Sequence, residues 1–251
     1  MYHSKSVEKM LSNVKAIASD VDGTLTISRS SYRIDVDAVK AVQTLEDNGI
    51  RVILVSGNAL PILMGLSRYL GASGAVVCEN GCIVGYKDRV IRICKRRTLE
   101  VAKIIAEEFN DILSESWQNV YREYDFAFRV KSNKYRNRQN EVVKIIQEFL
   151  SRQGYSWVKV VSSGYAIHLR PLDSDKGKGL LKALEVMGIS PQEVVGIGDG
   201  ANDVELFKVV GLAVAVANAD PELIRYAHIV LTKPSGKGFA ELASMILRAR
   251  G

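Results

Sequence analysis

Apolar positions along this chain follow two periods, and the arrangement of those periods changes in the middle third. Ala16-Ile17-Ala18-Ser19 is a short apolar run ending at Asp20, the pattern of a strand buried on both faces. Val36, Val39, Val42 and Leu45 then recur at helical spacing until Asn48-Gly49 stops the helix. Arg51-Val52-Ile53-Leu54-Val55 is a β-branched strand ending at Ser56-Gly57, and a helix follows with Pro61 in its first turn and Gly71 at its end. Ala75-Val76-Val77-Cys78 is a third strand. Strand, helix, strand, helix, strand requires right-handed crossovers and a parallel sheet. The same pattern returns late in the chain. Leu180, Leu181, Leu184 and Met187 form a helical stripe closed by Gly188, Val194-Val195-Gly196-Ile197 is a strand ending at Gly198-Asp199, and further strands lie at 213–216 and 228–231.

The intervening segment has a different order of elements. Residues 83–86 and 90–93 read as a hairpin about Lys87-Asp88-Arg89, followed by a helix at 99–109 and a strand at 126–130. A helix at 140–152 and strands at 157–161 and 165–169 complete it. The expected architecture is therefore α/β: a Rossmann-like parallel-sheet core in three layers (α/β/α), with an inserted α+β domain. Residues 1–82 and 170–251 form the core and residues 83–169 the insertion.

Charge supports that division. The 251 residues carry 34 Lys plus Arg and 28 Asp plus Glu, a net charge of +6. Both flanking segments are neutral, while 83–169 holds 16 basic and 10 acidic side chains. A hydrophobic fraction of 47% rules out disorder as the main state. The longest apolar run, Val209 to Ala217, is too short to span a membrane, and the charged first 20 residues lack a signal-peptide core. The reading is a cytoplasmic protein in which residues 1–9 form an unstructured arm and Met10 is an alternative start. Cys78, Cys82 and Cys94 form no CxxC pair and read as reduced thiols, mostly buried in strands. His3, His168 and His228 are scattered, so neither a zinc site nor a Ser–His–Asp triad has a basis.

The chemistry concentrates at strand ends. In Asp20-Val21-Asp22-Gly23-Thr24 the two carboxylates point the same way, because strand residues i and i+2 share a face. Ligands bind outside the carboxyl ends of strands in open α/β sheets. Two carboxylates there repel one another unless a cation or shared proton compensates. This D-x-D-G-T resembles the first motif of the haloacid dehalogenase superfamily of phosphohydrolases. Ser56-Gly57 is similar to the second motif, Lys176 in Asp175-Lys176-Gly177 to the third, and Gly198-Asp199-Gly200-Ala201-Asn202-Asp203 to the acidic fourth. The insertion falls where that superfamily places its larger α+β cap.

The resemblance implies a set of roles. Asp20 is the nucleophile that forms an acyl-phosphate, and Asp22 the acid and base. Ser56, Gly57, Asn58 and Lys176 hold the phosphate. Asp20, Asp199 and Asp203, with the Asp22 backbone carbonyl, hold Mg2+, a hard cation suited to oxygen ligands. Thr24, Asn202 and Asn218 are secondary pocket candidates. Bland readings stand beside several of these: Ser56 as a helix N-cap, Lys178 in place of Lys176, and Asp203 as a first-turn dipole carboxylate. Asn58 replaces the Arg found in many sugar phosphatases of the superfamily. That departure resembles the archaeal-type phosphoglycolate phosphatases, which implies 2-phosphoglycolate, a small anionic phosphoester, as substrate. Sugar-phosphate phosphatases and phosphomutases share the motifs and stay open. A nucleic-acid-binding module built on Lys95-Arg96-Arg97 and Lys134-Tyr135-Arg136-Asn137-Arg138 leaves the four carboxylates unexplained. Oligomeric state is open, with a homodimer among the options.

Overall fold

The computed structural model describes residues 4–136, 138–164 and 166–251. The chain runs α1 (Ser4–Ser12), β1 (Ala16–Ser19), α2 (Val36–Asp47), β2 (Arg51–Val55), α3 (Leu60–Leu70) and β3 (Val76–Cys78). It then forms β4 (Ile83–Tyr86), β5 (Arg89–Arg92), α4 (Leu99–Glu108), β6 (Leu113–Glu115) and β7 (Phe126–Val130). After α5 (Gln139–Arg152), β8 (Val158–Ser162) and β9 (Ile167–Pro171) come α6 (Lys176–Met187), β10 (Val194–Gly198) and α7 (Val204–Phe207). The chain closes with β11 (Leu212–Ala215), α8 (Pro221–Ile224), β12 (Ile229–Val230) and α9 (Ser235–Arg250).

Two sheets result. The larger has eight strands in the order β12-β11-β10-β1-β2-β3-β4-β5, parallel from β12 to β3. Its central strands are buried along their length, as the continuous apolar runs require, with Ile17, Ile53 and Leu54 at 0% exposure. Burying each such side chain contributes about 1.5–3 kcal/mol. From β1 the chain steps outward through β2 and β3, and from β10 it steps the opposite way through β11 and β12. Right-handed crossovers in opposite directions put α2 and α3 on one face and α7 on the other, while α9 packs against both α2 and α1. The smaller sheet is antiparallel, β6-β7-β9-β8, and packs with α4 and α5 around its own core, which includes Ile105, Phe128 and Ile146.

Four features depart from the sequence reading. Residues 4–12 form a helix rather than an arm, and Leu11 is buried against the main core. The hairpin β4–β5 does not belong to the smaller sheet. It pairs antiparallel with β3 and extends the larger one, because Ile83 and Val84 are buried in the main core. The last strand of the smaller sheet ends at Pro171, beyond the expected 169, and Tyr165, where it was expected to start, lies outside the described residues. Cys82 and Cys94 form a disulfide instead of remaining thiols, leaving Cys78 free and buried. Their separation of 12 residues matches no short-range pair pattern, and only the hairpin brings them together, with Ile93 N donating to Cys82 O at 2.8 Å.

Candidate active site

The larger sheet reverses its winding between β1 and β10, so the crevice at their carboxyl ends is a switch point where ligands bind. The register pairs Ser19 with Ile197, and Asp20 N donates to Ile197 O at 3.0 Å. Asp20 and Asp199, each the first residue past its strand, therefore meet across the crevice. Gly23 makes the approach sterically feasible: it sits at φ 91°, and a Cβ there would come within 2.3 Å of Asp199 Oδ2. Asp203 folds back from its turn so that its Oδ2 accepts from Asp199 N and Gly200 N, both at 3.1 Å. That geometry goes beyond a first-turn dipole carboxylate. The oxygens offered by Asp20, Asp199 and Asp203 lie within 4.8 Å of one another.

Lys176 and Lys178 stand in different surroundings. Its ammonium is fully buried and donates to Asp20 Oδ1 at 2.7 Å and Asp203 Oδ1 at 2.6 Å, whereas Lys178 is exposed at the start of α6. Thr24 donates to Asp199 Oδ1 at 3.2 Å. Ser56 does not cap α3, whose N-cap is Ala59. Its hydroxyl instead accepts from Asn58 Nδ2 at 2.9 Å, and the same amide reaches Asp22 Oδ2 at 2.9 Å. Gly57, Asn58 and Asn202 border the cavity, with a volume of about 950 Å³, into which Asp20 and Asp22 open. Asn218 lies elsewhere: it is exposed, does not line that cavity, and accepts from Ser235 N.

The electrostatics follow from crowding. Burial, then the charge of Asp203, hold the Asp20 carboxyl well above its ordinary range despite the neighbouring Lys176. Asp199 is raised to about 6 by burial and Asp203, against the pull of Arg29. Burial also raises Asp22, opposed by its hydrogen bond from Asn58. Burial works against the Lys176 charge, but Asp20 and Asp203 outweigh it and raise its pKa. The Lys176 ammonium and the Arg29 guanidinium, the latter shared with Asp220, leave excess negative charge on the three buried carboxylates. An all-oxygen donor set carrying that charge fits a hard divalent cation.

Several side chains at the site carry no motif. Arg29 donates through Nε to Asp199 Oδ2 and through Nη1 to Asp220 Oδ1, both at 2.6 Å. Gln118 and Arg122, in a 3-10 turn and its cap between β6 and β7, reach down to the second-motif loop. Gln118 donates to Asn58 Oδ1 at 2.7 Å, and Arg122 to Gly57 O at 2.7 Å. Glu79, at φ 48°, accepts backbone N–H bonds from Glu123, Tyr124 and Asp125, pinning the loop before β7 to the end of β3. Arg29 could not be distinguished by spacing from any loop arginine. The alternation Ile167-His168-Leu169-Arg170 did put two polar residues on one strand face, a signal present in the sequence.

Asp125 yields a testable consequence. It is fully buried and accepts at 2.8 Å from His168 Nδ1. Burial would raise its pKa, but His168 and then Arg122 and Arg170 dominate and lower it from 3.8 to about 2. The folded carboxyl thus releases its proton more readily than the unfolded one. Its contribution, about 2 kcal/mol, is present above pH ~4 and lost as pH falls towards 2. Asp125→Asn should therefore be less stable than wild type at pH 7, with the gap closing below pH 4 in urea titrations. A gap constant from pH 7 to 2.5 would contradict this.

A family model for haloacid dehalogenase-like hydrolases matches residues 17–161 and 135–242, and the chain belongs to that family. A phosphoglycolate phosphatase of Staphylothermus marinus is 42% identical over 235 residues, covering 93% of this chain and 98% of its own. One from Metallosphaera sedula is 42% identical over 234 residues, covering 93% and 99%. Among solved structures, a Thermoplasma acidophilum protein superposes with a TM-score of 0.78 at 24% identity, covering 93% of this chain and 98% of its own. A haloacid dehalogenase-like hydrolase from Bacteroides thetaiotaomicron gives 0.75 at 21% identity, covering 93% and 99%. These two likenesses bear on fold, and they match the α/β core with an additional antiparallel sheet.

Proposed function

We propose that this chain is a magnesium-dependent phosphomonoester hydrolase that works through an aspartyl-phosphate on Asp20 and converts 2-phosphoglycolate to glycolate and phosphate. The observation that carries the reaction is the state of Asp20. Lys176 fixes its Oδ1, while Oδ2 has no hydrogen-bond partner among the described residues and Asp20 borders the cavity. In this reading that oxygen attacks phosphorus, forming the Asp20–phosphorus bond as the bond to the glycolate oxygen breaks. Asp22, whose carboxyl burial keeps more readily protonated, gives its proton to the departing oxygen. It later takes a proton from the water that displaces Asp20 and releases phosphate. Asn58 orients Asp22 through the bond to Oδ2 and borders the phosphate position beside Ser56 and Gly57. Asp20, Asp199 and Asp203, with the Asp22 backbone carbonyl, would hold Mg2+, which supplies neutralising charge for the phosphoryl oxygens.

The substrate reading is supported by the names of the relatives and by the Asn58 position. The unit between β5 and α6 is assigned as the specificity cap. Phosphate release from 2-phosphoglycolate, hexose phosphates and simple phosphoesters, with and without Mg2+, tests both parts. We expect 2-phosphoglycolate to give the highest kcat/KM and excess chelator to abolish turnover. A hexose phosphate ahead by tenfold would move the assignment to the sugar phosphatases, and full activity in chelator would remove the metal.

The basic side chains that face the cavity are not those of the basic clusters. Arg129 and Lys159 line it, whereas Arg97 pairs with Glu123, Arg138 pairs with Glu141 and Arg96 lies over Trp157. Exposed charges steer an anion over roughly a Debye length, about 8 Å at 0.15 M salt. Raising ionic strength should lower kcat/KM while kcat holds. Neutralising Arg96, Arg97, Arg136 and Arg138 together should leave that dependence in place. If the quadruple variant flattens it, the steering field comes from those clusters instead.

A further inference from the structure

The smaller sheet turns one face to the active-site cavity. On β9, Ile167 and Leu169 are fully buried in the smaller core, so His168 and Arg170 point the other way and line the cavity. Lys159 on β8 lies directly opposite Arg170 and lines it too. Three basic side chains therefore share one patch of this face.

Their hydrogen bonds are incomplete. Arg170 is 3% exposed, its Nε and Nη1 have no partner among the described residues, and Nη2 reaches Glu205 Oε1 only at 3.4 Å. A buried guanidinium left this way is costly unless something else completes its hydrogen bonds. His168 is held by Asp125 at Nδ1, while its Nε2 has no partner among the described residues. The patch also adjoins the reacting end of the cavity. Glu205 accepts from the backbone N of Lys176 at 2.9 Å and so links Arg170 to the residue whose ammonium holds Asp20.

We propose that His168 and Arg170, flanked by Lys159, form the receptor for the carboxylate at the non-phosphate end of the substrate. This rests on the phosphatase reading above and adds what in the cap reads the substrate. A carboxylate offers the acceptor oxygens that this guanidinium and imidazole lack, with charge of the right sign. A neutral hydroxyl at the same place would leave Arg170 and Lys159 sharing Glu205 as their carboxylate, at 3.4 and 4.0 Å. His168 and Arg170 act on specificity, since the reacting atoms lie at Asp20.

The test compares 2-phosphoglycolate with 2-hydroxyethyl phosphate, which keeps the two-carbon length and lacks the carboxylate. His168→Asn retains an amide near the Nδ1 position, so Asp125 keeps a donor while the cavity-facing nitrogen is removed. In His168→Asn, and separately in Arg170→Gln, the ratio of kcat/KM for 2-phosphoglycolate over 2-hydroxyethyl phosphate should fall by about tenfold or more, chiefly through KM. A merely structural role would lower both substrates alike and leave the ratio constant, and that result would overturn the assignment. If the wild type prefers 2-phosphoglycolate but neither variant changes the ratio, the substrate reading survives and the receptor lies elsewhere. If the wild type shows no preference for the carboxylate, both fall together.

Discussion

Asp20→Asn is expected to lose turnover by a factor on the order of 10⁴ or more while remaining folded. The amide is nearly isosteric with the carboxylate but is a far poorer nucleophile, so the first displacement has no attacking oxygen. Stability should hold for a separate reason. Burial and the charge of Asp203 raise the Asp20 pKa, so the folded protein disfavours the ionised form. A neutral side chain relieves that repulsion, and its amide oxygen still accepts from Lys176, at the cost of the charge assistance in that bond. Phosphate release, thermal melting and far-UV circular dichroism on the same preparation check both parts. Wild-type-like turnover in Asp20→Asn would remove the covalent mechanism, and an unfolded variant would contradict the electrostatic account.

Lys176→Met should behave differently, losing both activity and stability. The ammonium has no solvent exposure and its contacts are two buried carboxylates, so removing it leaves two charges without compensation. Breaking a buried pair this way costs about 3–5 kcal/mol. Adding Asp203→Asn to Lys176→Met should recover part of that stability, because one unpaired charge disappears, without restoring turnover. Urea titrations of the single and double variants measure this. A double variant no more stable than the single one would show that the loss in Lys176→Met does not come from uncompensated carboxylate charge.

These two residues were legible in the sequence for different reasons. Asp20 follows an apolar run and is paired with Asp22 at the spacing that shares a strand face, so pattern and chemistry coincide there. Lys176 rested on its resemblance to a motif and its place at a loop-to-helix start, and the buried contacts to Asp20 and Asp203 distinguish it from Lys178. The parallel core was readable because its strands are continuous apolar runs, and continuous runs mean burial on both faces. The hairpin at 83–92 was readable as a hairpin but not as part of the core, since antiparallel pairing is local while sheet membership depends on β3. The disulfide closes the base of that same hairpin, so the pairing that brings Cys82 and Cys94 together was present in the sequence, although their spacing matches no short-range pair pattern. Arg29, Gln118, Arg122 and Asp125 act through distant partners, from 43 residues away in Asp125–His168 to 170 in Arg29–Asp199, and no local period encodes such contacts. The alternation on β9 announced a polar face, but only the fold shows that this face looks onto Asp20's cavity.

The central claim is that phosphorus is transferred to Asp20 itself. Wild-type protein turning over 2-phosphoglycolate with Mg2+ can be quenched in acid and reduced with borohydride, which converts an acyl-phosphate on aspartate to homoserine. Peptide mass spectrometry should then find homoserine at position 20, only when substrate is present, and never in Asp20→Asn. Steady turnover with no homoserine at position 20, or with the modification at Asp22 or Asp199 instead, would contradict the account.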